Sequence, residues 1–448
     1  MAKTLFKNVN VLDCTGAPPF AGQVLVEGNR IKAVAPQGST IPGEGAKVVD
    51  GGGATLMPGM IESHSHMTFL DTPDLEGLGF VPPEEHMLRT VKNAKKMLDQ
   101  GFTACNSAAS AKPRLDVVLR IFINAGDFPG PRTLAASPEM TVTSGLGDVR
   151  LMHMHRETFA VICDGAEEFR KMSRLFVREG VDTLKINPSG DEFIPHARAH
   201  QTVMTEAEIA AVCDVGHAHG KRIAAHARSA ESVKLCLKHG VAVIYHATLV
   251  DEEACDALEA AKDWCFVAPT LGINYTTLNE AAKWGITTQV AESMGMRIEL
   301  DIGIKNMKEL KKRGVRILPG GDYGFAWNPI GTNARDIEHF VNLIGFSPMD
   351  AILSATKLGG EIMKMGNELG QIKPGFLADM VLVDEQGLRA ADGIGGALHK
   401  SGALPPFRLA DEHRIRAGGV IAAQNQMAAA AVKSGAPGGF HRKLFVRD

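Results

Sequence analysis

The sequence lacks the long apolar run of a membrane-spanning helix, because no predominantly apolar stretch reaches about 20 residues. It also lacks an excess of charge of either sign: 48 Lys and Arg residues stand against 51 Asp and Glu residues, for a formal net charge of -3. Proteins that bind nucleic acid carry a basic patch or stripe, for which the composition gives no indication. We therefore expect neither nucleic acid nor a membrane as a partner, and the small-molecule substrate that we predict is argued from the site residues.

The seven cysteines show no CxxC spacing and are odd in number. A disulfide framework or a zinc ribbon needs paired or closely spaced cysteines, whereas scattered thiols are typical of a reducing compartment. The first residues, MAKTLFKNVNVLDCTG, alternate apolar and polar positions as a strand does, and they lack the apolar core of a signal peptide. These features predict a cytoplasmic protein.

Strand patterns occur in two separate parts of the chain. Short alternating strands with Gly and Pro turns run to about residue 50, and turn-plus-strand character returns at 370–384 in GQIKPGFLADMVLVD. A chain of 448 residues suits one large barrel with a small companion domain. We predict that residues 1–52 and 366–448 form a composite β-sheet domain, with a barrel of residues 53–365 inserted between them.

The middle of the chain repeats a helix, a glycine and a short apolar strand. In EAEIAAVCDVGHAHGKRIAAHA, a helix predicted from Glu206 to Ala218 ends at Gly220, and the strand RIAAHA follows at once. The same order recurs before VAVIYHA, WCFVAPT and VRILPGGD. Such β-α repeats predict an α/β protein with a parallel sheet, and we favour a (β/α)8 barrel over a doubly wound sheet, which the pattern alone does not exclude.

Two histidines at alternate positions follow an apolar strand in PGMIESHSHM. In a strand, His64 and His66 point to the same side, at the carboxyl end where barrel active sites form. HxH pairs also arise by chance, and the chain holds others. His217 and His219 lie at the end of a predicted helix, where residues two apart diverge, so we predict that they bind no metal.

Four further residues stand near the ends of later predicted strands: Lys185 in VDTLKIN, His226 in RIAAHA, His246 in VAVIYHA and Asp322 in VRILPGGD. Taken singly, a strand-end histidine is usually structural, and an aspartate after two glycines usually lies in a turn. Their joint placement at strand ends is the argument for a site. Imidazole and carboxylate are the ligands that suit zinc or a similar divalent ion.

With these motifs in place, the chain resembles the amidohydrolase superfamily, especially its prolidase-like, arginine carboxypeptidase-like, phenylurea, molinate and ochratoxin hydrolase branch. The match extends over about residues 4–384. The resemblance implies a TIM-like barrel with a small β-sandwich domain and a centre of two divalent ions, with zinc the foremost choice. It places His64, His66 and Asp322 on one ion and His226 and His246 on the other. We also expect a homo-oligomer.

The resemblance further implies that Lys185, carboxylated by carbon dioxide, bridges the two ions. A neutral buried amine can react with carbon dioxide, and the carbamate replaces a cation with an anionic ligand that offers two oxygens. An unmodified ammonium beside two dications would be repelled, so the alternative is a Lys185 that faces away from the site. Asp322 then takes the proton of the attacking water and delivers it to the leaving nitrogen.

Three positions depart from the family pattern. Glu62 stands where most members carry Asp, Tyr245 where many carry Glu, and Asn106 where a charged residue is common. The first change is conservative. We expect the other two to reshape the pocket.

Residues in loops that follow the strands are candidate substrate contacts: His153, His155, Arg156, Arg228, Tyr275 and Tyr323. Each also has an ordinary explanation as a surface or packing residue. The stretch YGFAWNP, directly after Asp322, predicts an apolar or aryl-bearing substrate, because such sites are mostly apolar with few polar contacts.

The predicted reaction is hydrolysis of an amide, urea or carbamate C–N bond in a small substrate. One alternative is a prolidase-like dipeptidase or carboxypeptidase acting on N-acyl amino acids, whose free carboxylate Arg228 or Arg156 would hold. An alternative of another class is a non-catalytic, metal-binding barrel. The complete ligand set argues against it, because loss of catalysis usually removes ligands first.

Overall fold

The computed structural model describes residues 2–154 and 156–383. Its first five strands form one sheet: β1 (Lys3–Val11), β2 (Phe20–Glu27), β3 (Arg30–Pro36), β4 (Lys47–Asp50) and β5 (Thr55–Pro58). β2 pairs antiparallel with β1 and β3, whereas β4 and β5 pair parallel with β1. Apolar side chains on one side of these strands, such as Val9, Val11 and Val24, are buried together and form the core of the sheet.

Parallel strands follow: β6 (Met60–Ser65), β7 (Phe102–Ser107), β8 (Arg132–Leu134), β9 (Ala136–Thr141), β10 (Ala160–Ile162), β11 (Thr183–Ile186), β12 (Arg222–Ser229), β13 (Val243–Leu249) and β14 (Phe266–Ala268). β6, β7 and β8 pair in that order, and a second sheet runs β10-β9-β11-β12-β13-β14. Every pairing in both sheets is parallel. The predicted α/β class with a parallel sheet is therefore confirmed.

The helices that cover these strands are α1 (Pro83–Asp99), α2 (Leu115–Ala125), α3 (Ala166–Glu179), α4 (Glu206–Ala218), α5 (Ala230–Lys238), α6 (Glu252–Ala260), α7 (Leu271–Glu280), α8 (Thr288–Ser293), α9 (Met296–Lys312), α10 (Arg335–His339), α11 (Pro348–Ala355) and α12 (Lys357–Ile362). Within the described ranges, no helix is both long and apolar enough to cross a lipid bilayer. The bounds of α4 match the prediction, and Gly220 has a left-handed φ of 62°. Thr205 and Glu208 form a capping box that fixes the start of this helix.

The segment VRILPGGD does not form the regular strand that its sequence predicts. It makes isolated parallel bridges, from Ile317 to Val267 of β14 and from Tyr323 to Ser65 of β6. Pro319 offers no N–H, and the two glycines after it favour a turn, so a regular ladder cannot extend along the segment. The segment still lies between β14 and β6, and it carries Asp322 to the carboxyl end of β6.

The chain returns to the N-terminal sheet after α12. The strand β15 (Met380–Val383) pairs antiparallel with β5, from Thr55 to Pro58. Ile372 and Phe376, just before it, are buried in the core of the same sheet. Residues 384–448, which complete the predicted C-terminal segment, lie outside the described residues.

An ion pair joins the N-terminal sheet to the parallel strands. Arg132 on β8 donates from Nε to Asp379 at 2.5 Å, and the Asp379 side chain is only 8% exposed. We expect Asp379→Ala to lower the free energy of unfolding by about 3 kcal/mol, because a partly buried guanidinium loses a charged partner.

The matched control for this change is Asp99→Ala, which removes the exposed pair between Lys95 and Asp99 on α1. That change should cost less than about 1 kcal/mol. Denaturant unfolding of both variants measures the difference. Equal losses for the two would contradict a coupling role for Asp379.

Candidate metal centre

The strand ends bring all six predicted ligand residues to one place. They are His64 and His66 on β6, Lys185 on β11, His226 on β12, His246 on β13 and Asp322 after VRILPGG. All six are buried, and all six line one cavity. Because the strands run parallel, their carboxyl ends meet at the same edge, as the sequence pattern predicts.

Asp322 lies at the centre of this group. Its Oδ1 is 3.0 Å from His66 Nε2 and 3.4 Å from His64 Nε2. His64, His246 and Asp322 each offer one atom to a cluster in which all ligand atoms lie within 4.8 Å of one another. The cluster is compact enough for metal coordination, and it includes residues that the resemblance assigns to each of the two ions.

Two glycines allow Asp322 to reach this position. A Cβ on Gly320 would lie 2.7 Å from the His64 backbone nitrogen, and a Cβ on Gly321 would lie 2.6 Å from an Asp336 oxygen. Only residues without a side chain permit such close approaches to β6 and to Asp336. Asp322 has a φ of 62° and donates its backbone N–H to the His64 carbonyl. Strained backbone of this kind is typical of functional sites.

Three of the imidazoles have one nitrogen tied to a protein oxygen. His66 Nδ1 lies 3.3 Å from the Ala109 carbonyl, His226 Nε2 lies 3.0 Å from the Gly190 carbonyl, and His246 Nδ1 contacts the Thr270 hydroxyl. A nitrogen that donates to such an oxygen fixes the neutral tautomer, and the lone pair is then on the other nitrogen. This is how metal-binding histidines are usually oriented.

Burial favours the uncharged forms of His64, His226 and His246. It lowers the pKa of His64 to about 3, and it lowers the pKa of His226 and His246 well below the ordinary value, with the nearby Arg228 adding to the effect. Burial alone would raise the pKa of the Asp322 carboxyl, but His64 and His66 outweigh it and hold that pKa well below its ordinary range. Neutral imidazoles beside a carboxylate are the protonation states that bind divalent cations.

Glu139 is a site residue that the sequence analysis missed. It lies on β9 opposite Lys185 in the register of β11, and its Oε1 lies 3.5 Å from Lys185 Nζ. Its other oxygen accepts a hydrogen bond from Asn187 at 2.7 Å. The available indication was an acidic residue near the end of the apolar strand in AASPEMT, the same criterion that selected the other strand-end residues.

The cavity above the cluster has a volume of about 370 Å³. Its walls are largely apolar, with Phe69, Phe159, Phe193, Ile273, Phe325 and Trp327 among the lining residues. The indole of Trp327 donates to the Thr277 hydroxyl at 2.9 Å, which fixes the ring. Two of these residues come from YGFAWNP, the stretch that predicted an apolar pocket.

The predicted substrate contacts fall at different places. Arg228 lines the cavity, whereas Arg156 lies beside it and pairs with Glu76, which does line it. The buried Tyr323 donates its hydroxyl hydrogen to Asp336 at 3.0 Å, and its side chain is absent from the cavity wall.

The other three predicted contacts are separate from the cavity wall or undescribed. Tyr275 packs its ring against His339, with 4.8 Å between the centroids, and His153 is exposed. Neither is among the residues that line the cavity. His155 lies outside the described residues.

The residues that depart from the family pattern lie behind the ligands. Glu62 accepts hydrogen bonds from the His64 backbone N–H at 2.9 Å and from Asn333 at 2.7 Å. Asn106 donates to the Tyr245 hydroxyl at 3.1 Å, and the Tyr245 ring lies 4.0 Å from the His64 ring. These contacts support the position of His64 from behind.

The HxH pair of His217 and His219 lies away from the cluster. His217 is exposed on α4, with Nε2 at 3.3 Å from the Gly240 carbonyl, and His219 caps the exposed end of that helix. Neither residue lines the cavity. The geometry agrees with the argument that histidines two apart on a helix diverge.

The chain matches a known protein family and has relatives of known activity. The model of the amidohydrolase family matches residues 55–423. Ochratoxinase from Aspergillus niger is 22% identical over 360 residues, which cover 74% of this chain and 71% of that protein. Imidazolonepropionase from Rubrobacter xylanophilus is 23% identical over 415 residues, 86% of this chain and 91% of that protein.

A solved structure shows the same fold. A prolidase complexed with N-methylphosphonate-L-proline superposes with a TM-score of 0.77 at 25% identity, covering 88% of this chain and 96% of that chain. The resemblance predicted from the sequence is thereby confirmed. The chain belongs to the amidohydrolase family and is a hydrolase of that family.

Proposed function

We propose that the protein hydrolyses an amide, urea or carbamate C–N bond in a small, apolar or aryl-bearing substrate. The observation that carries the proposal is the convergence of four imidazoles, a carboxylate and a buried lysine at the bottom of a largely apolar cavity. The similarity to ochratoxinase and to a prolidase supports this reaction class.

The residues present fit a binuclear centre. His246 Nε2 is buried without a hydrogen-bond partner among the described residues, as expected of an atom reserved for a metal ion. His64, His66 and Asp322 would hold one ion, and His226 and His246 the other, with zinc the foremost choice. Lys185, carboxylated at Nζ, would be a further anionic ligand of these ions. When bound, such ions lower the pKa of a water molecule and polarise a carbonyl group.

The chain's own residues then perform two tasks. Asp322 accepts the proton of the attacking water and delivers it to the leaving nitrogen, since a carboxylate beside the nucleophile can act as base and then as acid. The aromatic walls hold the apolar part of the substrate and exclude bulk water, which strengthens the electrostatic interactions in the site.

The domain organisation is also a proposal. β8 pairs with β7 and leads directly into β9, which pairs with β11, so these contacts support a closed (β/α)8 barrel. The pairing of β15 with β5 supports a small domain built from both ends of the chain. Because β5 belongs to that sheet, we place the start of the barrel near residue 59. Completion of a β-sandwich by residues 384–448, the homo-oligomer and the cytoplasmic location stay predictions.

Metal depletion and reloading test the proposed function. Chelator-treated enzyme should lose turnover of aryl amides, phenylureas and carbamates, and zinc should restore it, because ions held by the predicted ligands would activate the attacking water. Product analysis by liquid chromatography should show cleavage at the C–N bond. Stoichiometric zinc without turnover of any compound in the panel would instead support the non-catalytic alternative.

A further inference from the structure

We propose that the cavity accepts substrates whose group near Arg228 is uncharged and that it discriminates against a free carboxylate there. The proposal rests on the proposed function and names its substrate class: neutral amides, ureas or carbamates, and not N-acyl amino acids. It reverses the expectation that Arg228 grips a carboxylate. Arg228 already binds two carboxylates of the protein itself.

Two buried carboxylates occupy the guanidinium of Arg228. Its Nε donates to Asp191 Oδ2 at 2.9 Å, and its Nη2 lies 2.8 Å from the same oxygen. Its Nη1 donates to Glu299 Oε1, which also accepts the Thr248 hydroxyl at 2.9 Å. The edge formed by Nε and Nη2, which could hold a carboxylate with two hydrogen bonds, is therefore in use.

This cluster has no unpaired positive charge that could bind an incoming anion. All three residues are buried: Arg228 is 1% exposed, Asp191 is 5% exposed and Glu299 is 1% exposed. One guanidinium beside two carboxylates has no surplus positive charge. A substrate carboxylate would lose its hydration without gaining a free cationic partner, and such burial of an unpaired charge is strongly unfavourable.

The other cationic side chains at or beside the cavity have carboxylate partners as well. Lys185, the other lysine or arginine among the described lining residues, lies 3.5 Å from Glu139, and carboxylation would make it anionic. Arg156, beside the cavity, pairs with Glu76 at the wall. A site built this way disfavours anions by leaving them unpaired, which is a recognised route to specificity.

Two amides of nearly equal shape test the proposal on the wild-type, zinc-loaded enzyme. N-benzoyl-L-phenylalanine carries a free carboxylate, and N-benzoyl-L-phenylalaninamide carries a neutral carboxamide in its place. Benzoate release, followed by liquid chromatography, reports cleavage of the same bond in both. We expect kcat/KM to be at least roughly 100-fold higher for the carboxamide. Equal values, or a preference for the carboxylate, would overturn the proposal.

A variant tests whether Arg228 pairing is the cause. Glu299→Gln keeps the shape of the side chain but removes one of the two negative charges on Arg228, so the preference for the carboxamide should narrow by roughly tenfold or more. Glu309→Gln is the matched control, because Glu309 lies on the same helix, pairs with Arg313 and is not among the residues that line the cavity. It should leave the ratio unchanged. An unchanged ratio in Glu299→Gln would assign the selectivity elsewhere and contradict the proposal.

Calorimetric binding of the same two compounds separates this proposal from the proposed function. Tighter binding of the carboxamide without release of benzoate from either compound would support the charge preference and count against the proposed hydrolysis. Tighter binding of the carboxylate would overturn the charge preference, whatever the turnover.

Discussion

Lys185→Ala is expected to lower turnover by roughly three orders of magnitude and to deplete the bound metal, because loss of a bridging ligand removes the activated water and the carbonyl polarisation together. Lys185 is 1% exposed and lies among the six converging residues, so the change should act on the site and not on the surface. Metal analysis and steady-state kinetics on a neutral aryl amide measure both effects.

Rescue by a small acid makes this prediction specific to the carbamate. A short carboxylic acid such as acetate or propionate can enter the space vacated in Lys185→Ala, and it presents two oxygens where the carbamate would. Part of the metal content and activity should then return as the acid concentration rises. Lys234→Ala, which changes a partly exposed, ion-paired lysine on α5, is the control and should show neither the loss nor the rescue. Wild-type metal content in Lys185→Ala would contradict the bridging role.

His66→Ala is expected to abolish turnover and metal binding, while His217→Ala leaves both nearly unchanged. His66 Nε2 lies 3.0 Å from Asp322 at the centre of the cluster, whereas His217 is exposed on α4 and contacts only the Gly240 carbonyl in the described structure. Removing one ligand from a small set weakens metal binding severely, and removing a surface imidazole does not.

The two variants form a matched pair, because each residue belongs to an HxH motif and each substitution removes the same imidazole group. Elemental analysis after gel filtration and kinetics on the same neutral amide compare them. Similar losses in both would mean that metal binding does not follow the strand geometry, and the assignment of β6 as the ligand strand would have to be given up.

Features that depend on neighbouring residues in the chain were predictable. The bounds of α4 follow from its own periodicity and from Gly220, and the convergence of His64 and His66 follows from the two-residue repeat of a strand. The helix-glycine-strand repeats likewise predicted the parallel sheet. In each case the determinant is local, so pattern and propensity are sufficient.

Features that depend on contacts between residues far apart in the chain could not be predicted from the sequence. Arg228 and Glu299 are 71 positions apart, and nothing in RIAAHARS indicates that two carboxylates will surround that arginine. Glu139 meets Lys185 through strand register, which one sequence does not reveal. VRILPGGD was predicted as a strand because its apolar start favours one. The structure shows how Pro319 and the glycines override that preference while bringing Asp322 against β6.

The most direct test of the metal centre is a crystal structure of zinc-loaded enzyme with anomalous diffraction recorded at the zinc edge. We expect two peaks among the six residues, His64, His66 and Asp322 around one and His226 and His246 around the other, with carbamate density on Lys185 Nζ between them. A site without zinc peaks, or a fully active enzyme whose Lys185 is an unmodified amine paired with Glu139, would contradict this account.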